Sequence, residues 1–203
     1  MRRTTLTRNR GVTLFELMLT LAVAAVLAAI AIPNMRDFIR NNRITAVAND
    51  LLRSMQVARS EAIKRQRRVV MCASENPSAA TPSCSDTSFH GWIVFEDTNS
   101  DWTVNDGEQI IERHDLVHAS LSVINDNDSI FSFAPTGFPT PDGTKVAVRN
   151  IVVCDERGNQ QIAGNSSAAR AVMLVERTGR FRVSRTVEDV DRAIDATGTT
   201  CPP

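Results

Sequence analysis

The chain has 203 residues, 42% of them apolar and 23% charged, which suits one folded domain with or without an appendage and excludes disorder throughout. Its 23 basic and 23 acidic residues balance, so the field of the whole molecule would not draw in a nucleic acid, and such a partner would need a local patch. The balance hides an asymmetry: Arg2, Arg3, Arg8 and Arg10 precede Gly11 with no acid among them, and without them 19 basic residues face 23 acidic ones, a net of −4.

From 12 to 32 the sequence reads VTLFELMLTLAVAAVLAAIAI, with Thr13, Glu16 and Thr20 its only polar residues. As a helix rising about 1.5 Å per residue it spans about 30 Å, the thickness of a bilayer core. The four arginines ahead of it should stay in the cytoplasm, which places the rest of the chain on the far side. A secretory signal has a shorter apolar stretch and is cleaved after it. Here the candidate cleavage point, Gly11, lies before the apolar stretch. Removing a leader of residues 1–11 would leave the membrane helix, residues 12–33, on the mature protein. A carboxylate inside such a segment is costly and is a functional candidate for that reason. With Val12 as the new amino terminus, Glu16 lies one turn away, where it can pair with the α-ammonium of a neighbouring subunit. The plainer account is a carboxylate snorkelling to the interface.

Taken together, Gly11-Val12-Thr13-Leu14-Phe15-Glu16-Leu17, the basic leader and the long apolar helix closed by Pro33 resemble the class III signal of type IV pilins and type II secretion pseudopilins. Val12 departs from the phenylalanine common there. The resemblance implies cleavage after Gly11 by a prepilin peptidase, N-methylation of Val12, and packing of the helix with other pilins or pseudopilins in a filament core, with Glu16 as the assembly residue.

Pro33 is expected to interrupt the helix where membrane gives way to water. Beyond it Phe38, Ile44, Val47, Leu51, Met55, Ala58 and Ala62 form an apolar stripe, so residues 34–66 read as an amphipathic helix packed on a sheet. Its other face is basic. Residues 36–68 hold nine Arg or Lys against Asp37, Asp50 and Glu61, a pattern that is usually a solvated face and secondarily a surface for anionic lipid or DNA. Strand-like runs follow at 69–73, 91–96, 109–113, 120–124, 130–134, 145–154, 171–176 and 180–185, separated by Gly, Pro, Asn and Asp. The stretches 76–88 and 159–169 read as loops. The fold class expected is α+β: a long N-terminal transmembrane and amphipathic helix, then an antiparallel β-rich head over residues 67–194, then a tail at 195–203.

Cys72, Cys84, Cys154 and Cys201 include no CxxC pair, and with three histidines there is no zinc-type spacing. An even count behind an export-type N-terminus favours two disulfides, with four buried thiols as the alternative. Of three connectivities, Cys72–Cys84 closes a short loop and Cys154–Cys201 tethers the tail, and this pairing is preferred.

Asp97, Asn99, Asp101, Asn105 and Glu108 fall at oxygen-ligand positions of an EF-hand loop, but Trp102 stands where that loop needs glycine, and a turn between strands is the better account. His114 and His118 have zincin spacing, which works only on a helix, and their surroundings alternate like a strand. No metal or cofactor is expected. No phosphate loop, nucleophile elbow or carboxylate dyad stands out, and the chain is not read as an enzyme.

From 170 to 185 there are five arginines, Arg170, Arg177, Arg180, Arg182 and Arg185, against one acid, Glu176. If 180–185 is extended, Arg180 and Arg182 point one way and Phe181 and Val183 the other, with the two arginines about 7 Å apart. Arginine forks suit phosphate, while a charged edge strand that resists aggregation is the competing account. The head resembles the GspH/FimT family in Ala58-Arg59-Ser60-Glu61-Ala62-Ile63, in Gly91-Trp92-Ile93-Val94-Phe95, in the turn from Asp97 to Gly107-Glu108, and in Gly179-Arg180-Phe181-Arg182-Val183. FimT-like minor pilins carry a Gly-Arg-x-Arg motif that binds DNA in natural transformation. The match at Gly179, Arg180 and Arg182 implies a minor pilin, anchored in the inner membrane with its head in the periplasm, that binds DNA without sequence preference. The alternative is a GspH-like structural pseudopilin of a type II secretion system.

Overall fold

Thr13 opens the first element: its hydroxyl accepts the Glu16 N–H at 3.2 Å, the N-cap bond of a Thr-x-x-Glu start. From there helix α1 (Leu14–Arg65) runs for 52 residues. The computed structural model describes residues 11–85, 89–116, 120–126, 130–139, 149–175 and 179–201. The basic leader, His118, residues 145–148, Glu176 and Arg177 lie outside the described residues. The chain divides into two units, residues 1–40 and 41–203. In the first, every large apolar side chain from Leu14 to Ile32 is exposed, on a helix long and apolar enough to cross a membrane. The expected interruption at Pro33 does not occur, because the helix continues through it. A proline removes one intrahelical bond, and here the Asn34 side chain adds one to the Ile30 carbonyl.

In the second unit α1 buries the stripe Ile44, Val47, Ala48, Leu51, Met55, Ala58 and Ala62. Phe38, expected at its start, is exposed. The head has two antiparallel sheets. One has the order β3 (Ile110–Asp115), β2 (Gly91–Asp97), β1 (Arg68–Ser74), β5 (Ile130–Phe133). The other has the order β4 (Ser122–Asn125), β6 (Asn150–Cys154), β8 (Ser166–Val175), β7 (Gln161–Ala163), with β9 (Arg180–Thr186) also paired to β8. Alternation sends Val69, Met71, Trp92, Val94, Phe131 and Phe133 of the first sheet, and Ile151, Val153 and Val172 of the second, into one core with the α1 stripe. The Trp92 indole N–H donates to the Ser54 hydroxyl at 2.9 Å inside that core. Gly91 allows the close approach of β3, since a Cβ there would meet the His114 carbonyl oxygen at 2.0 Å.

A second helix, α2 (Val187–Thr197), was not expected from the sequence. It packs Val190 and Ala193 on Val152, Cys154, Ala169, Ala171 and Met173, the far face of the second sheet. Thr186 caps it by accepting the Asp189 N–H, and Gly198 ends it in the left-handed region. The expected tail is therefore shorter, because residues 195–197 are the last turn of α2. The loop expected over 159–169 is corrected as well, since it holds β7 and the first half of β8. Disulfides join Cys72 to Cys84 and Cys154 to Cys201. The first sits in a cluster with Val70, Ile93, Phe95 and Trp102 on the outer face of the first sheet. The second ties the residues after α2 to β6.

Candidate functional site

Strand β9 carries the arginines. Directly before it stands Gly179, whose φ of +63° and whose position 2.9 Å from Pro139 (measured from an added Cβ) both favour a residue without a side chain. Its carbonyl accepts from Arg59 of α1 at 3.4 Å. Along β9, Arg180 and Arg182 are exposed while Phe181 and Val183 are half-buried against the α1 core. Phe181 meets Phe131 edge to face with ring centres 4.8 Å apart. The two arginines therefore share a side of the strand, held there by two apolar residues that point the other way.

The rest of the basic segment does not join them. Arg170, expected in the same patch, is buried at 6% exposure. Its guanidinium donates to the carbonyls of Ser167, Ala168 and Ala169, so it braces its own strand. Arg185 follows Phe181 and Val183 in the two-residue repeat, on the side opposite Arg180 and Arg182. Arg177 lies outside the described residues.

Arg182 is half-exposed but engaged. Its two terminal nitrogens donate to both oxygens of Asp189 at 3.0 and 3.2 Å. The Ser184 hydroxyl donates to the same carboxylate at 2.7 Å. The hydrogen bonds from Ser184 and then Arg182 hold the Asp189 carboxyl below its ordinary value. Arg192 also reaches Asp189, at 3.3 Å. Sequence reasoning missed Asp189 because it lies on α2, which brings it back over β9. The competing basic surface at the end of α1 is compensated more fully. Arg65 pairs with Glu61 at 2.6 Å and Glu96 at 2.8 Å, Arg67 with Glu96, and Arg68 with Asp97 at 3.8 Å.

The acidic turn after β2 spends its oxygens on its own backbone. Glu108 accepts the N–H groups of Thr98 and Asn105, and Asp101 accepts that of Thr103. Trp102, at φ +66°, tucks its ring under the first sheet. His114 lies on β3, not on a helix, and its ring stacks on Trp92 at 4.7 Å.

A capped apolar helix with a carboxylate in its first turn, followed by a disulfide-bonded two-sheet head, defines a pilin-like subunit. A family model described as the type II transport protein GspH matches residues 47–179, and one for the prokaryotic N-terminal methylation motif matches residues 6–32. The chain belongs to the GspH family of minor pilins and pseudopilins. Two crystal forms of the type IV minor pilin FimU of Pseudomonas aeruginosa (strain PAO1) are similar to it. One is 17% identical over 72% of this chain and 92% of that chain, with a TM-score of 0.48. The other is 16% identical over 69% and 91%, with a TM-score of 0.45. No curated protein sequence matches the chain.

Proposed function

We propose that the chain is a FimT-like minor pilin: cleaved after Gly11 by a prepilin peptidase, N-methylated on Val12, assembled through its N-terminal helix, and able to hold DNA on β9. The observation that carries the subunit role is the run of exposed apolar side chains from Leu14 to Ile32 behind Glu16. Such a surface needs lipid before assembly and neighbouring helices after it. In this reading the helix crosses the inner membrane once and the head stands in the periplasm. Residues 34–66 carry the head on their apolar face.

The DNA role is supported by the shared, exposed side of Arg180 and Arg182 behind Gly179. A phosphate can take the place of Asp189 on Arg182 at small cost, because exposed ion pairs are worth only about 0–1 kcal/mol. Binding should ignore base sequence, since phosphate contacts carry none. Replacing Arg180 and Arg182 together by glutamine should lower the log–log salt slope of DNA binding by about 1.4–1.8, at about 0.7–0.9 per phosphate contact. Arg65, Arg67 and Arg68 provide the control set. Wild-type binding in the double variant would reject the site.

The second reading, a structural pseudopilin of a type II secretion system, is favoured by one observation: the acids Asp189, Glu61, Glu96 and Asp97 compensate much of the basic surface. A mobility-shift titration with no DNA binding even at low salt would leave this reading standing.

A further inference from the structure

Beside Arg180 the head carries a groove of about 340 Å³, lined by Met55, Gln56 and Arg59 of α1, by Phe133 of β5, and by Gly179, Arg180 and Phe181. Its floor is apolar, since Met55 and Phe133 are buried. The described residues that line it include two arginines and no acid. A tight turn stands against Gly179. The Gly137 N–H donates to the Ala134 carbonyl at 2.8 Å, and the Ala134 N–H donates to the Phe138 carbonyl at 2.9 Å. This turn is clamped on two sides. A Cβ on Gly179 would come within 2.9 Å of Pro139 and 3.4 Å of the Gly137 carbonyl oxygen, while a Cβ on Gly137 would meet the Ile63 side chain at 2.6 Å and the Arg59 Nε at 3.5 Å. Phe138 therefore sits between two residues that pack on Gly179. It is nevertheless 51% exposed, the one exposed Phe or Trp among the described residues of the head. Its carbonyl closes the turn as any residue's would, so closure does not account for an aromatic ring at this place.

We propose that this face takes DNA as a single strand: Arg180 and Arg182 hold the backbone, and unpaired bases use Phe138 and the groove. Proteins that track single strands combine a cationic site for the backbone with aromatic residues on which bases stack, and the stacking ignores sequence because every base has a π-face. The groove's volume falls at the low end of the range, about 300–1,000 Å³, of sites for small molecules, which suits one base. A duplex can use neither feature, since its bases stack on one another and pair at their edges. It is left with the phosphates alone. Phosphate charge by itself points the other way, because a duplex holds its counterions more densely, about 0.9 released per contact against about 0.7 for a single strand. A preference for the single strand would therefore report the bases and not the charge. This inference rests on the DNA reading of β9 and names the form of DNA that the site takes.

The test is fluorescence anisotropy of the full-length protein in a neutral detergent at low salt. One labelled oligonucleotide of mixed sequence is presented as a single strand, annealed to its complement, and as a strand of equal length with abasic sites throughout. The wild type should bind the single strand more tightly than the duplex or the abasic strand. Phe138→Ala should lower single-strand affinity by about fivefold or more, the weight of one stacked base, and leave duplex affinity unchanged. Phe138→Trp should keep the preference. Equal affinity of the wild type for the single and abasic strands overturns the proposal, and that comparison needs no variant to fold. So does a Phe138→Ala protein that binds the single strand as wild type does, or one that loses single strand and duplex alike. Wild-type DNA binding by Phe138→Ala together with its loss from sheared filaments would reassign the face to a neighbouring subunit. A wild type that binds none of the three strands would remove the DNA reading itself, which is a separate failure.

Discussion

Asp189 decides how much of β9 is available to a partner. It takes both terminal nitrogens of Arg182 and the Ser184 hydroxyl, and it sits in the first turn of α2, where the helix dipole favours an acid. Asp189→Asn keeps the shape and removes the charge. DNA affinity at low salt should rise, by up to about fivefold, the equivalent of a 1 kcal/mol exposed pair. An unchanged affinity in a binding titration would mean that Arg182 does not touch DNA. Asp101 offers a second single-residue prediction. The Thr103 N–H, helped by Asn105, the Thr103 hydroxyl and Asn99, lowers its carboxyl from 3.8 to about 2. The folded state then binds the proton less tightly than the unfolded chain. Asp101 therefore contributes stability above pH 3.8, and this is lost as pH falls toward about 2. Urea unfolding of wild type and Asp101→Asn should differ most above that window and converge below it. A constant difference through the window would refute the assignment.

At the scale of elements, the bond between Trp92 and Ser54 joins α1 to β2 inside the buried core. Ser54→Ala leaves the indole N–H without its partner, and stability should fall by about 1–3 kcal/mol, measured by urea unfolding. The disulfide from Cys154 to Cys201, 47 residues apart, does similar work for α2. Opening it with Cys201→Ser should cost about 2–5 kcal/mol, with α2 amides losing hydrogen-exchange protection first. Much of this architecture was legible: alternating apolar residues marked β1, β2, β5 and β9, and the α1 stripe appeared at helical spacing. The same cysteine pairs follow from loop length and from the structure. The start of β8 was hidden because Ser166, Ser167, Ala168 and Ala169 are small and unbranched, a composition that reads as loop but suits the close packing of α2. Helix α2 was hidden because Thr186 is both the last residue of β9 and the N-cap, so no turn separates them. The burial of Arg170 could not be read at all, since it depends on an irregularity in the register between β8 and β9.

For the molecule as a whole, the question is what the exposed apolar helix is for. A membrane anchor alone needs no carboxylate, and a carboxylate near the start of such a helix has two physical accounts. Glu16 can be the last residue of a Thr-x-x-Glu capping box that begins at Thr13, or it can be the charge that meets a neighbour's amino terminus in an assembly. Glu16→Gln separates them. Glutamine serves a capping box as well as glutamate does, and the bond from the Glu16 N–H to Thr13 belongs to the backbone. Helix, insertion and cleavage after Gly11 should therefore be unchanged. Head stability should move by no more than about 0.5 kcal/mol, as exposed substitutions usually do. Only the charge is gone, so the subunit should accumulate in the membrane and disappear from sheared filaments. Gly11→Ile is the companion, in which intact-mass analysis should show the leader retained and assembly blocked at the earlier step. A Glu16→Gln subunit found in filaments at the wild-type level would reduce Glu16 to a capping residue, whereas a processed Gly11→Ile protein would remove the cleavage site on which the assembly reading depends.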